Sequence, residues 1–253
     1  MSDAPEKDLR LLLLLTPLAP LLAALGPAGG WALVLLAPLT LYPSFRRRVL
    51  ARDYFGAWRL GMAWAVLLSA GTILLVLWFP EAAREGILRG EPYRQEMFGW
   101  IATGIAPEND WRQFLPQHLL HLAVFVVLTW LSGGYLGLSL GALLVAYMSY
   151  FVGSYAGASG HPLLGSFVAW VPWSVIRVFA FVLLGALFAR PLLVRRAWPF
   201  DALEHRLMAL GAAGIAADIV MKSLFAPTYG TLLRQLAPAT LAELYSGALR
   251  ILS

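Results

Sequence analysis

The chain contains no cysteine. That excludes a disulfide framework and any thiolate-held zinc or iron–sulfur centre, so a metal could be held only by histidine and carboxylate. Charge is also scarce: only 13% of the 253 residues are Asp, Glu, Lys or Arg, about half the ~25% typical of a soluble domain. Lysine is nearly missing, with Lys7 and Lys222 the only two. Between Gln113 and Ile176 there is no charged residue at all. A hydrocarbon core of about 30 Å takes about 20 helical residues, so this run must cross a membrane more than once.

What is present agrees with that reading. The chain is 60% hydrophobic with mean hydropathy +0.71, too apolar for a soluble domain, and no internal repeat or low-complexity linker divides residues 1–253. The sequence therefore predicts one all-α, polytopic transmembrane helical bundle. Six spans are expected, at about 11–42, 57–79, 116–131, 135–155, 162–188 and 207–225. The first holds Pro17, Pro20, Pro27 and Pro38 around a Gly-rich centre and reads as one long kinked span in preference to two half-helices meeting in a re-entrant hairpin. The mixed charges of Glu6, Lys7, Asp8 and Arg10 argue against a cleaved signal peptide.

Positive charge sets the expected topology. Arg46, Arg47, Arg48, Arg52 and Arg59 follow the first span, and Arg190, Arg195 and Arg196 follow the fifth, which predicts cytoplasmic loops at 43–56 and 190–206. Loop 81–115 carries more acids than arginines and is expected outside, folded onto the membrane through Met97, Phe98, Trp100, Ile101 and Ile105 at helical spacing. An integral protein of a bacterial inner (cytoplasmic) membrane is expected. The tail 226–253 suits an interfacial amphipathic helix, with a short seventh crossing as the alternative. The fourth span carries Gly137, Gly141, Ala142, Ala146 and Ser149, a small-residue face that would admit a protein partner or a second copy of the chain, within the lipid bilayer that is its first partner. Nothing suggests nucleic-acid binding, and no particular cofactor is implied.

Three charged residues fall at membrane depth, where each needs a reason. Arg177 lies in the fifth span, and Asp218 and Lys222 are four apart on the sixth. Their spacing predicts an Asp218–Lys222 pair on one helix face, with Arg177 snorkelling or bonded to a neighbour; the alternative pairs Arg177 with Asp218 across helices. His118 and His121, at i, i+3, face one side of the third span. With His161 and an acid such as Glu96, Glu108 or Asp110 they could form a metal site.

Trp111-Arg112-Gln-Phe114 followed by Leu119-Leu-His121, and Gly157-Ala-Ser159-Gly160 opening a helix, together resemble the rhomboid intramembrane serine proteases over roughly residues 57–225. The resemblance implies an outer loop carrying Trp111 and Arg112, and Ser159 as nucleophile. It leaves only His118, His121 or His161 as a candidate base, His121 foremost, because no histidine follows His205. The family's His-x-x-x-Asn finds Leu122 or Phe125 at the Asn position. A serine without a base in reach is a poor nucleophile. The sequence therefore favours a non-enzymatic membrane component, an accessory or structural subunit of a larger complex or a small transporter, over a rhomboid-like hydrolase or a histidine metal protein.

Overall fold

The structure, a computed structural model, describes residues 10, 12–26, 29–105, 107–198 and 200–236. The described residues form α1 (Ala19–Leu25), α2 (Gly30–Leu36), a 3-10 turn (Ala37–Thr40), α3 (Tyr42–Leu50), α4 (Tyr54–Trp78), α5 (Pro80–Gly86), α6 (Gly90–Thr103), α7 (Trp111–Ser132), α8 (Tyr135–Ala158), α9 (Pro162–Ala169), α10 (Pro172–Phe188), α11 (Arg190–Val194) and α12 (Ala202–Leu236). Among the described residues, five helical stretches are long and apolar enough to cross a membrane: Tyr54–Trp78, Trp111–Ser132, Tyr135–Ala158, Pro172–Val194 and Ala202–Leu236. The protein is thus an all-α membrane bundle, with shorter apolar helices over Leu12–Leu25 and Gly30–Thr40.

The first segment is not the single kinked span expected over 11–42. Thr16 and Thr40 hydrogen-bond side chain to side chain at 3.0 Å, so the two short helices run back to back. Gly29, in the left-handed region at φ 53°, and Gly30, which has no room for a side chain between Leu88 and Gly86, place the turn against the loop following α4. Glycine is required there for close approach. The hairpin packs on α4 through Gly71, which faces the Pro17 backbone, and through Trp64, whose indole N–H donates to the Ala37 carbonyl at 3.2 Å.

Local sequence sets the helix ends. Asp53 caps α4 by accepting from the Gly56 amide at 2.9 Å, and Asp110 caps α7 by accepting from the Arg112 amide at 3.0 Å. Helix α7 therefore starts five residues before Pro116, where the third span was expected to begin, and takes that proline into an early turn. Gly133 and Gly134, at φ 60° and 101°, make the tight α7–α8 turn. The expected fifth span is broken: Val171 is extended ahead of Pro172, which opens α10, as the steric demand of proline on its predecessor requires. The preceding short helix α9 folds back along α8, with Gly165 against Ser159 and Ala156.

The sixth span and the tail are also rearranged. Helix α12 runs 35 residues through Pro227 to Leu236, roughly 52 Å at 1.5 Å per residue, so residues 226–236 continue the span instead of starting a separate interfacial helix. The Arg234 Nε–H donates to the Ile101 carbonyl at 2.6 Å, and the Tyr155 hydroxyl donates to the Leu233 carbonyl at 2.7 Å. These bonds clamp the end of α12 to α6 and α8. The remaining tail, with its alternative seventh crossing, lies outside the described residues.

The loop after α4 is folded, with Met97, Phe98, Trp100 and Ile101 buried. They face Phe151, Tyr155 and the end of α12 within the protein, and Ile105, beyond the left-handed Gly104, points away at 82% exposure. At the opposite, arginine-rich end, Asp201 and Glu204 cap α12 reciprocally, with amide-to-carboxylate bonds of 2.8 and 3.0 Å. Glu204 is fully buried and also accepts from Arg190 at 2.6 Å and from the Tyr54 hydroxyl. Burial of a carboxylate is tolerable because all these donors meet it.

Candidate functional site

Three helices bring the intramembrane polar residues together. From α10, Arg177 donates through Nε and Nη2 to the two carboxylate oxygens of Asp218 on α12, each at 2.8 Å. The geometry is the parallel, two-bond fork that guanidinium and carboxylate make best. Asp218 is completely buried. This is the cross-helix alternative to the Asp218–Lys222 pair expected from spacing. One turn further along α12, the Lys222 ammonium lies 4.3 Å from the centre of the Phe114 ring, within cation–π range.

Helix α7 supplies the third side. His118 Nδ1 lies 3.0 Å from the Phe114 carbonyl oxygen. A carbonyl only accepts, so Nδ1 carries a hydrogen, and in a neutral ring Nε2 is then the acceptor. That nitrogen is buried and has no hydrogen-bond partner among the described residues; it stands 3.9 Å from Asp218 Oδ2. The His118 side chain is 10% exposed. A buried polar atom without a partner is costly enough that native structures seldom keep one without a role.

His118, Arg177 and Asp218 line a narrow cleft of about 80 Å³ in the middle of the bundle. His118, His121, Ser174, Arg177 and Asp218 stand at one end. From there it descends between Trp64, Val145, Val178, Phe181 and Ile215 to Phe45 and Thr129 near the arginine-rich end. Thr129 Oγ1 is another buried polar atom with no hydrogen-bond partner among the described residues. At Gly141 the wall is bare: a methyl group added there would meet nothing within 4 Å. A second cleft of about 100 Å³ shares His118, His121, Ser174 and Arg177 and opens beside the folded loop, adding Arg89, Glu96, Gln117 and Lys222. Together they make a polar vestibule above an apolar shaft.

The other residues singled out in the sequence lie elsewhere. Ser159 ends α8, and its hydroxyl donates to the backbone, with the Ala156 carbonyl at 2.9 Å and the His161 carbonyl at 3.2 Å. It lines neither cleft, and among the described residues no histidine ring hydrogen-bonds it. His161 precedes the first turn of α9 and is exposed, so the three-histidine metal centre is not assembled. Among the described residues no group of three His, Asp or Glu stands close enough to hold a metal ion. Asp110, one of the acids considered for it, caps α7. Trp111 is exposed with Arg112 packed on its ring at 5.3 Å, at the head of α7.

The small-residue face of α8, expected to receive a partner, is largely used within the chain. Ala142, Ala146 and Ser149 are buried, and Gly137 packs against the Thr129 hydroxyl. Only Gly141 is left open, and it faces the cleft. Sequence reasoning missed Phe114, which anchors both His118 and Lys222, and Glu204. The Phe114-x-x-x-His118 spacing puts the carbonyl of the first within reach of the second on a helix, a signal that could have found it. Comparison with protein-family models, curated proteins and solved structures returns no match.

Proposed function

We propose that this chain is a non-enzymatic integral membrane protein of the small-transporter class, whose substrate passes through the vestibule and shaft between α4, α7, α8, α10 and α12. One observation carries the reading: the unpartnered, buried Nε2 of His118 faces a cleft at the point where Arg177 locks Asp218 across two helices. Ionisable groups at this depth are expensive and typically mark a pathway for a substrate or ion. A cleft with mostly apolar walls and a few convergent polar groups is the expected setting for a ligand.

The peripheral position of α7 supports the same reading. Only 17% of its most apolar window is buried, against 56% for α4 and 61% for α8. A helix held so lightly, carrying His118 and His121, is the element best able to open the cleft sideways. A subunit role would need a free small-residue face, and that face of α8 is mostly occupied.

Because the natural chain has no cysteine, single cysteines report access without background. Gly141→Cys should react with a membrane-impermeant maleimide in sealed vesicles, and Ala146→Cys, buried against the bundle, should not. If Gly141→Cys stays unreactive in both vesicle orientations, the shaft is closed to water and the transporter reading fails.

A further inference from the structure

We infer that the molecule carried through this cleft is a small uncharged hydrogen-bond donor of about three or four heavy atoms, amide-like or alcohol-like, which bonds His118 Nε2 on its way toward Thr129. The inference deepens the transporter reading and rests on it.

Three features point to this chemistry. The first is hydrogen bonding. His118 Nδ1 is occupied by the Phe114 carbonyl, and Nε2 of the neutral ring is an acceptor for which the described residues supply no donor. Toward the other end of the cleft, Thr129 Oγ1 is likewise buried without a partner among the described residues. A ligand O–H or N–H satisfies the histidine, and a hydroxyl or amide, which both donates and accepts, satisfies the threonine as well. The second feature is charge. Among the described residues, Arg177 and Asp218 are the only Asp, Glu, Lys or Arg side chains lining this cleft, and they bond each other twice at 2.8 Å. An ion passing between Trp64, Val145, Phe181 and Ile215 has only apolar side chains around it. Burying a charge that way costs far more than burying an uncharged polar group. The third is size. The cleft measures about 80 Å³, roughly half the ~150 Å³ in which a benzene molecule is held. A sugar or a lipid chain is too large for it.

The test uses the full chain reconstituted into sealed phosphatidylcholine liposomes and reads uptake of radiolabelled probes. Urea is the uncharged N–H donor. Guanidinium is its planar cationic counterpart with the same number of heavy atoms, its charge balanced by potassium leaving through valinomycin. Erythritol is uncharged and about twice the size. Urea is expected to enter faster than it enters protein-free liposomes, and guanidinium and erythritol at their protein-free rates. Guanidinium uptake raised as much as that of urea overturns the uncharged ligand, and erythritol uptake raised as much overturns the size limit. Urea uptake at the protein-free rate overturns the whole assignment. These comparisons need no variant. His118→Phe removes the acceptor and is expected to slow urea about tenfold, the loss for one hydrogen bond to a buried partner. Leu210→Phe places the same ring on the exposed face of α12 and should take up urea as the natural chain does. Urea uptake in His118→Phe equal to that of the natural chain overturns the role of Nε2. Where urea is not taken up, a Gly141→Cys that still reacts leaves the transporter reading standing, and an unreactive one removes both.

Discussion

Arg177 on α10 grips both carboxylate oxygens of Asp218 on α12 at 2.8 Å, and this fork holds together the two helices that form one wall of the cleft. Removing one partner leaves the other as an uncompensated charge in the interior, at a typical cost of about 3–5 kcal/mol. Arg177→Met and Asp218→Leu should each lower the thermal unfolding temperature in detergent sharply. The double variant, which removes both charges, should recover most of the loss. Equal destabilisation in the double and single variants would mean the pair matters for packing and not for charge.

Glu204 anchors the opposite end of the bundle, accepting from Arg190, Tyr54 and the Asp201 amide. Glu204→Ala leaves Arg190 without its buried acceptor and uncaps α12, so a loss of about 3 kcal/mol or more is expected in chemical unfolding. Glu204→Gln keeps a side-chain oxygen and should lose less. An Ala variant as stable as the natural chain would contradict the role assigned to this cluster.

The two glycines of α8 should respond oppositely. A methyl group at Gly137 runs into the Thr129 hydroxyl, whereas at Gly141 it meets empty space. Gly137→Ala is therefore expected to destabilise, by about 1–3 kcal/mol as overpacking usually does. Gly141→Ala should be neutral or slightly stabilising, since alanine is the better helix former. Unfolding of the two variants side by side decides it.

Acid should loosen α6. Burial pushes the Glu91 carboxyl up, but Arg94, bonded to it at 2.8 and 2.5 Å, outweighs burial and holds it below the ordinary carboxylate range. A lowered folded-state value gives stability that is full above the unfolded value, about 4.3, and is lost as pH falls through the folded one. Glu91 also accepts from the Tyr150 hydroxyl at 3.2 Å, so its protonation weakens the tie between α6 and α8. Hydrogen exchange of the amides at 90–103 should accelerate relative to the rest of the chain as pH drops from 7 to 3.5, after correction for intrinsic rates. In Glu91→Gln that extra pH dependence should be gone. An identical profile in the variant would assign the loosening to another group.

The helical bundle was legible because hydropathy and charge placement are properties of whole segments, and α4 and α8 lie close to their expected limits. The first segment and the tail were not, for local reasons. Pro17, Pro20, Pro27 and Pro38 permit either a kink or a hairpin, and the choice depends on Gly30 meeting Leu88, a contact between segments far apart in sequence. The extent of α12 depends on Arg234 reaching Ile101 and Tyr155 reaching Leu233. At the site, i, i+3 spacing put His118 and His121 on one side of α7, and both line the cleft; i, i+4 spacing pointed to an Asp218–Lys222 pair, whereas Asp218 pairs with Arg177. Spacing alone could not show that Arg177 faces Asp218 across two helices, or that the His118 ring is fixed by its own backbone through Phe114.

The most direct test of a transporter is whether its central cleft can be reached from either face. In right-side-out and inside-out vesicles carrying Gly141→Cys, an impermeant maleimide should label the cysteine in both orientations, from the loop end and from the arginine-rich end, where Phe45 and Gly134 line the shaft. Labelling from the loop end alone would describe a fixed binding pocket and contradict transport.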